Sequence, residues 1–148
     1  MSKRQPLSFG VTLKVRDRCL CLHVQRAARA TARHFDDAFR PLGITSGQFS
    51  LLMTLNRPEP PTIGMVAEVL AMDRTTLTAN AKPLQRRGLL LIAVDKDDKR
   101  SRRLVLTPAG RALLAEAVPL WKRANRALER RLRSNAPDAL RGDLRALS

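Results

Sequence analysis

The chain has no tyrosine, and its aromatic share is 3% of 148 residues. A core made from this sequence is therefore expected to be aliphatic. Two cysteines, Cys19 and Cys21, do not make a disulfide framework, and a reducing cytosol is the natural setting for them. The longest apolar run, Leu89 to Val94, is far short of a bilayer span. The polar segment Met1 to Gly10 has no apolar centre of a secretory signal. A cytoplasmic location without a membrane partner is expected. Gly-rich phosphate loops, metal-ligand clusters and Ser/His/Asp sets are all missing, so no enzyme activity, cofactor or metal is expected. Acidic residues are also scarce. Against 13 Asp and Glu stand 28 Lys and Arg, a formal net charge of +15 and a pI near 11.6. A balance this basic implies a polyanionic partner or a charged membrane surface. The length fits one domain or one subunit of an assembly, and 44% hydrophobic residues suffice for a core.

What is present is organised around residues 62–107. Ile63, Val66, Ala67 and Leu70 recur at helical spacing. After Ala71-Met72, Asp73 is a good N-cap for a second helix. That helix has apolar positions Leu77 and Leu84 and a polar face of Arg74, Thr75, Thr76, Thr78, Asn80 and Lys82. Arg86-Arg87-Gly88 fits a helix C-terminus, where cations and then a left-handed residue are favoured. This is the organisation of a helix-turn-helix, whose second helix enters the DNA major groove. Pro83 predicts a bend between Ala79 and Pro83. Residues 89–94 and 102–107 read as paired strands forming a wing. The tip joining them, Asp95-Lys96-Asp97-Asp98-Lys99-Arg100-Ser101, lacks glycine and is expected to be a long flexible loop.

On either side the pattern is helical. Residues 1–12 form a basic arm without periodicity. From about Lys14, the stripe Leu20, Val24, Ala27, Thr31, Phe35, Ala38 and Leu42 predicts one long helix, ended by Pro41 and Gly43. Thr45-Ser46-Gly47-Gln48 fits a capping box, followed by a buried face of Phe49, Leu52 and Met53. A Pro-rich connector, residues 56–61, leads to a Thr62 cap. Thr107-Pro108 opens a helix with the stripe Leu113, Ala117, Leu120, Ala124, Leu128 and Leu132, which Pro119 should kink. After Ser134-Asn135-Ala136, Pro137 opens a last short helix. These terminal stripes exceed what one small winged helix can bury, and a symmetric dimer would bury the excess.

Several segments, in order, resemble the MarR family of winged-helix transcription regulators. They are Gly43-Ile44-Thr45-x-x-Gln48-Phe49, Met72-Asp73-Arg74-Thr75-Thr76-Leu77-Thr78, Leu84-x-x-x-Gly88-Leu89, Asp95-x-x-Asp98-x-Arg100-Ser101 and Leu106-Thr107-Pro108-x-Gly110. The resemblance implies a mainly α fold with a small β wing, in a single chain spanning 1–148. Residues 45–107 would form the winged helix, and 13–40 with 110–148 the dimerisation helices. It implies a homodimer on a palindromic operator in double-stranded DNA, and a repressor released by a small-molecule effector or an oxidant. It places Arg100 of the wing in a minor groove with Asp98 as its orienting partner. Lys99 and Arg102 are further wing candidates, and the sequence does not decide between Arg100 and Arg102.

Two side-chain groups bear on the signal. Cys21 falls where the organic-hydroperoxide-sensing branch of the family carries its reactive thiol, and Cys19 could resolve it in the other subunit. That branch surrounds its thiol with tyrosines, whereas Gln25, Phe35 and Ser46 stand at those places here. A ligand is therefore expected, an aromatic or lipophilic acid steered by Arg26 or Arg29, with thiol-based sensing the alternative. A metal site from Cys19, Cys21 and His23 is disfavoured, because helical positions two apart diverge. A protein that coats DNA without sequence preference is the remaining rival.

Overall fold

Four helices among the described residues start on a side-chain cap, and these caps set the boundaries of the half that carries the wing. Thr45 and Gln48 form a reciprocal capping box at the start of α3, Ser46–Thr54. Thr62 accepts from Met65 N at the start of α4, Ile63–Val69. Asp73 accepts from Thr76 N at the start of α5, Arg74–Arg86. Thr107 accepts from Gly110 N at the start of α6, Pro108–Glu129. Each such bond satisfies a backbone donor that the first turn leaves open. The computed structural model describes residues 6–133 and 136–148. The first five residues of the basic arm and the expected Ser134-Asn135 connector lie outside the described residues.

The N-terminal helix differs from its sequence pattern. It starts earlier, at Phe9, and is two helices: α1, Phe9–Arg18, and α2, Leu20–Phe39. Cys19 between them is extended, at φ −69° and ψ 109°. Its carbonyl accepts from both His23 N, at 3.2 Å, and His23 Nδ1, at 2.8 Å. Neither glycine nor proline marks this break, so a periodicity argument runs straight through it. A 3₁₀ turn, Arg40–Leu42, and left-handed Gly43, φ 64°, then reverse the chain into α3.

β1, Leu90–Val94, and β2, Arg102–Leu106, pair antiparallel, with Leu90 opposite Leu106 and Ile92 opposite Leu104. The helices α5 and α6 run unbroken through Pro83 and Pro119. The last helix, α7, is Pro137–Ala146. The result is mainly α with a two-stranded wing, as expected.

The core is aliphatic around Leu52, Leu77, Leu84, Leu90 and Leu104, all fully buried. The few aromatics are concentrated where α2 meets α3. Phe39 stacks on Phe49 with centroids 4.6 Å apart, and Phe35 stacks on Phe39 at 6.1 Å. On α3 the expected buried face is partly wrong. Phe49 and Leu52 are buried, but Met53 is 38% exposed, and Leu51 and Leu55 are buried instead. The helix is packed by α2 and α6 as well as by α4 and α5, so its apolar surface is wider than one stripe. Leu114, outside the predicted α6 stripe, is buried for the same reason.

The start of α6 is held very close to the wing. Thr107 N donates to Leu89 O at 3.2 Å, and Thr107 Oγ1 donates to Gly88 O at 2.6 Å. A Cβ on Gly110 would stand 2.1 Å from Leu89 O and 2.8 Å from Leu106 Cδ1. Backbone cannot yield that much locally, so Gly110→Ala should separate α6 from the wing. A loss of about 1–3 kcal/mol, the usual range for overpacking, is expected from denaturant melts. An unchanged midpoint would contradict this close approach.

Candidate nucleic-acid interface

Helix α5 buries Leu77, Ala81 and Leu84 and leaves Arg74, Thr75, Thr76, Asn80 and Lys82 exposed, with Thr78 half-buried. Spacing and capping together generate this two-sidedness. Two of the three threonine hydroxyl protons on the polar face are already directed inward. Thr76 Oγ1 donates to Asp73 Oδ2 at 2.7 Å, and Thr78 Oγ1 donates to Arg74 O at 2.8 Å. Both oxygens keep lone pairs, so toward a base edge they act as acceptors. Asn80 Nδ2 lies 3.6 Å from Met72 Sδ. Thr75 and Lys82 have no side-chain bond among the described residues. The backbone N–H and the hydroxyl of Thr76 hold the Asp73 carboxyl below its ordinary pKa, keeping the cap ionised.

Two contacts seat this helix. The guanidinium of Arg74 lies over Gly64 of α4, where an added Cβ would come within 2.9 Å of Nη2. At the other end Arg87 donates to Gly43 O at 2.7 Å and to Leu42 O at 3.3 Å, tying the end of α5 to the turn before α3.

The wing tip is not the flexible loop the sequence suggested. Asp95 is only 5% exposed, the one buried charged residue among those described. Its Oδ1 accepts from Asp97 N at 2.8 Å and Asp98 N at 3.1 Å. Its Oδ2 pairs with the Arg103 guanidinium, which also donates to Pro60 O at 2.5 Å. Leu104 N donates to Pro61 O at 3.0 Å. The carboxylate therefore closes the tip, and its arginine partner fastens the wing root to the connector ahead of α4. Sequence reasoning named Asp95 only as part of the tip and gave Arg103 and Pro60 no role. No ladder pairing announces the contact, since Arg103 stands opposite Ala93 and beside a second arginine, Arg102.

At the tip, Asp98 accepts the backbone N–H of Arg100 at 3.0 Å, so it orients that residue through the main chain. Arg102 Nη1 is folded back onto Lys99 O at 3.0 Å and Ser101 O at 3.3 Å. Lys99, Arg100 and Arg102 are all exposed. The difference is that the Arg102 guanidinium is bonded to carbonyls of the tip, whereas Arg100 is held through its main chain.

The proposed signal residues are elsewhere and not together. Cys19 is half-buried and Cys21 exposed, and both are free thiols. Gln25 Nε2 lies 3.4 Å from Cys21 Sγ. Arg26 and Arg29 are exposed on α2, nine and six residues before Phe35. The junction cavity of about 90 Å³ is lined by Phe35, Phe39, Ser46, Phe49, Ser50 and Trp121, without either arginine. No helix among the described residues is long and apolar enough to cross a membrane.

The MarR family profile matches residues 44–101, which include α3, α4, α5 and the wing tip. The M. tuberculosis transcriptional regulator MosR, solved in complex with DNA, superposes with a TM-score of 0.80. It is 34% identical and covers 88% of this chain and 93% of its own. The chain belongs to the MarR family. Another solved MarR-type fold, the transcriptional repressor CouR bound to a 23-mer DNA duplex, has a TM-score of 0.78. It is 28% identical over 97% of this chain and 99% of its own. The organic hydroperoxide resistance transcriptional regulator of Bacillus subtilis (strain 168) is 29% identical over 101 residues. That is 68% of this chain and 69% of that protein. The present MarR-family member is a winged-helix transcriptional regulator.

The Asp97 and Asp98 N–H groups, and then Arg103, lower the Asp95 pKa from its ordinary value. A depressed folded-state pKa contributes stability above the unfolded value, about 3.9, and loses it as pH falls through the folded value. Acidification below about pH 4 should therefore loosen the wing root. Asp95→Asn should remove that part of the pH dependence and raise amide exchange in residues 95–103. Identical exchange in both proteins at neutral pH would count against the clamp.

Proposed function

We infer that this MarR-family regulator binds a palindromic operator as a homodimer and represses until a small ligand releases it. The observation that carries the reading is the pairing of the exposed polar face of α5 with a wing whose root is clamped and whose Arg100 is exposed. A helix with Thr acceptors and flanking cations suits base edges and phosphates in the major groove. An exposed arginine on a narrow ribbon suits a minor groove, where it responds to groove width. Thr75, Thr76, Thr78 and Asn80 are the proposed base readers. Arg74, Lys82 and Lys99 are the proposed phosphate contacts, and Asp98 orients Arg100.

The dimer reading rests on apolar surface left uncovered on the terminal helices. Val11, Val15, Leu20, Leu140, Leu144 and Leu147 are all exposed. Between α2, α6 and α7 lies a groove of about 380 Å³ lined by Leu128, Leu132, Leu140 and Leu144. A second copy would fill it. Residues 13–40 and 110–148 are the proposed dimerisation helices, with 45–107 the winged helix.

For the signal, the junction cavity of Phe35, Phe39, Phe49 and Trp121 is far smaller than ordinary ligand sites of about 300–1,000 Å³. A ligand entering it must part α2 from α3. That movement changes the spacing of the two recognition helices, which must match one turn of DNA, about 34 Å. Thiol sensing is less well supported, because Cys21 has an amide, not a hydroxyl or a cation, beside its sulfur.

Footprinting on the DNA upstream of its own gene should show discrete palindromic protection. Thr75→Ala should relax preference at one base position, with about 1–3 kcal/mol at stake. Arg100→Ala should weaken binding more evenly and flatten the salt slope by about 0.9 per lost phosphate-like contact. Equal losses on operator and random DNA for both would favour a coating protein. Leu140→Glu with Leu144→Glu should shift the protein toward monomer in sedimentation, and an intact dimer would overturn the proposed interface. Release by a small excess of organic hydroperoxide that Cys21→Ser abolishes would replace the ligand by oxidation.

A further inference from the structure

The winged helix does not carry most of the positive charge. Residues 41–107 hold ten Lys and Arg against six Asp and Glu, so most of the net +15 belongs to the flanking segments. Part of it forms one face. Helices α2 and α6 lie antiparallel, since His34 Nε2 donates to Ala124 O at 3.0 Å while Ala27, Ala30 and Thr31 share a groove with Leu128 and Leu132. Counting about 100° per residue from His34, Arg26, Arg29 and Arg33 fall about 80–140° to one side of α2. Counting likewise from Ala124, Arg123 and Arg130 fall about 100–120° round α6 in the same sense. For antiparallel helices the same sense of rotation leads to the same side. Five arginines therefore share a face, all of them exposed.

Nothing acidic neutralises this face. Among the described residues none of the five arginines is in an ion pair. Asp36 accepts from Ser46 N, Asp37 pairs with Arg40, and Glu129 pairs with Arg141. Glu116, exposed on the same side of α6, stands seven residues before Arg123, about 10 Å along the helix. The apolar groove proposed for the second copy, with Thr31 and Leu128 in its lining, falls about 40–60° to the other side of the same reference, so a copy seated there leaves the arginine face in solvent. Arg26, Arg29 and Arg33 border an open depression floored by Ala27 and Ala30. A small effector would need enclosure and apolar walls. A repeating polyanion needs neither. Arg26 to Arg33 spans about 10 Å, the length of about three phosphates on one strand at 3.4 Å each.

We propose that the arginine face of α2 and α6 binds the phosphate backbone of duplex DNA beyond the operator contacts of the winged helix. The source is a second duplex, because Arg123 stands about 22 Å along α6 from its start at the wing; flanking DNA of the same duplex is the competing outcome of the test. The proposal rests on the operator reading above, and the test separates the two. Wild type, the triple variant Arg26→Gln/Arg29→Gln/Arg33→Gln and the double variant Arg123→Gln/Arg130→Gln are compared on operator-only and extended duplexes. A bead-bound operator duplex capturing a labelled second duplex completes the set. Thermal melts identify any variant that fails to fold, and the other then carries the comparison. On operator-only DNA the folded variants should match wild type in affinity and footprint. Capture of the second duplex should be lost in the variants, with the salt slope on extended duplexes unchanged. Intact capture with a slope lower by roughly three units in the triple variant would assign the face to flanking DNA and overturn a second duplex. No change in either assay, or an equal loss on operator-only DNA, overturns the proposal. Absence of a discrete footprint in wild type would instead overturn the operator reading.

Discussion

The contact between the Leu89 carbonyl and Gly110 is the constraint through which the two halves of the molecule act as one. Only a residue without Cβ permits it, because that atom would lie 2.1 Å from the oxygen. Thr107 seals the same corner from both sides, donating to Gly88 O and accepting from Gly110 N. Helix α6 thus leaves the wing at a fixed angle. It runs unbroken through Pro119 to Ala124, where His34 closes onto it from α2. Wing, α6 and α2 form a continuous packed path. In the proposed signalling, this close corner is what would carry a displacement of the α2–α3 aromatic cluster toward the DNA-binding end.

The two ends of that path use charge differently. On α5 the hydroxyls of Thr76 and Thr78 have their protons fixed inward, and what faces out is a set of acceptors between cations. Such a surface suits the base reading proposed for it. On the wing one buried carboxylate organises backbone amides and a guanidinium, and a different arginine, Arg100, is left exposed. The arginines of α2 and α6 have no such ordering partners. They are suited to attraction that falls with salt and carries no sequence information.

Much of this was legible in the chain. The caps at Thr45, Thr62, Asp73 and Thr107, left-handed Gly88 and the α5 stripe follow from local rules, and each stands where the sequence places it. The losses came where tertiary contacts decide. At the break, His23 folds back on the Cys19 carbonyl, and no glycine or proline announces the change. Met53 is exposed and Leu51 buried because α3 is enclosed on several sides, which a single stripe cannot express. The wing tip is ordered by Asp95, whose partner Arg103 is eight residues away and whose further partner Pro60 lies in another segment. An aliphatic core was expected from 3% aromatics. The expectation overlooked that three of four phenylalanines come together at the α2–α3 corner.

Trp121 lies at that same corner, 38% exposed beside Phe35, Phe39 and Phe49. The chain has one tryptophan and no tyrosine, so its intrinsic emission comes from this single indole. An opening of the aromatic cluster would change the polarity around that ring. The protein thus contains its own optical gauge of this corner and needs no added label.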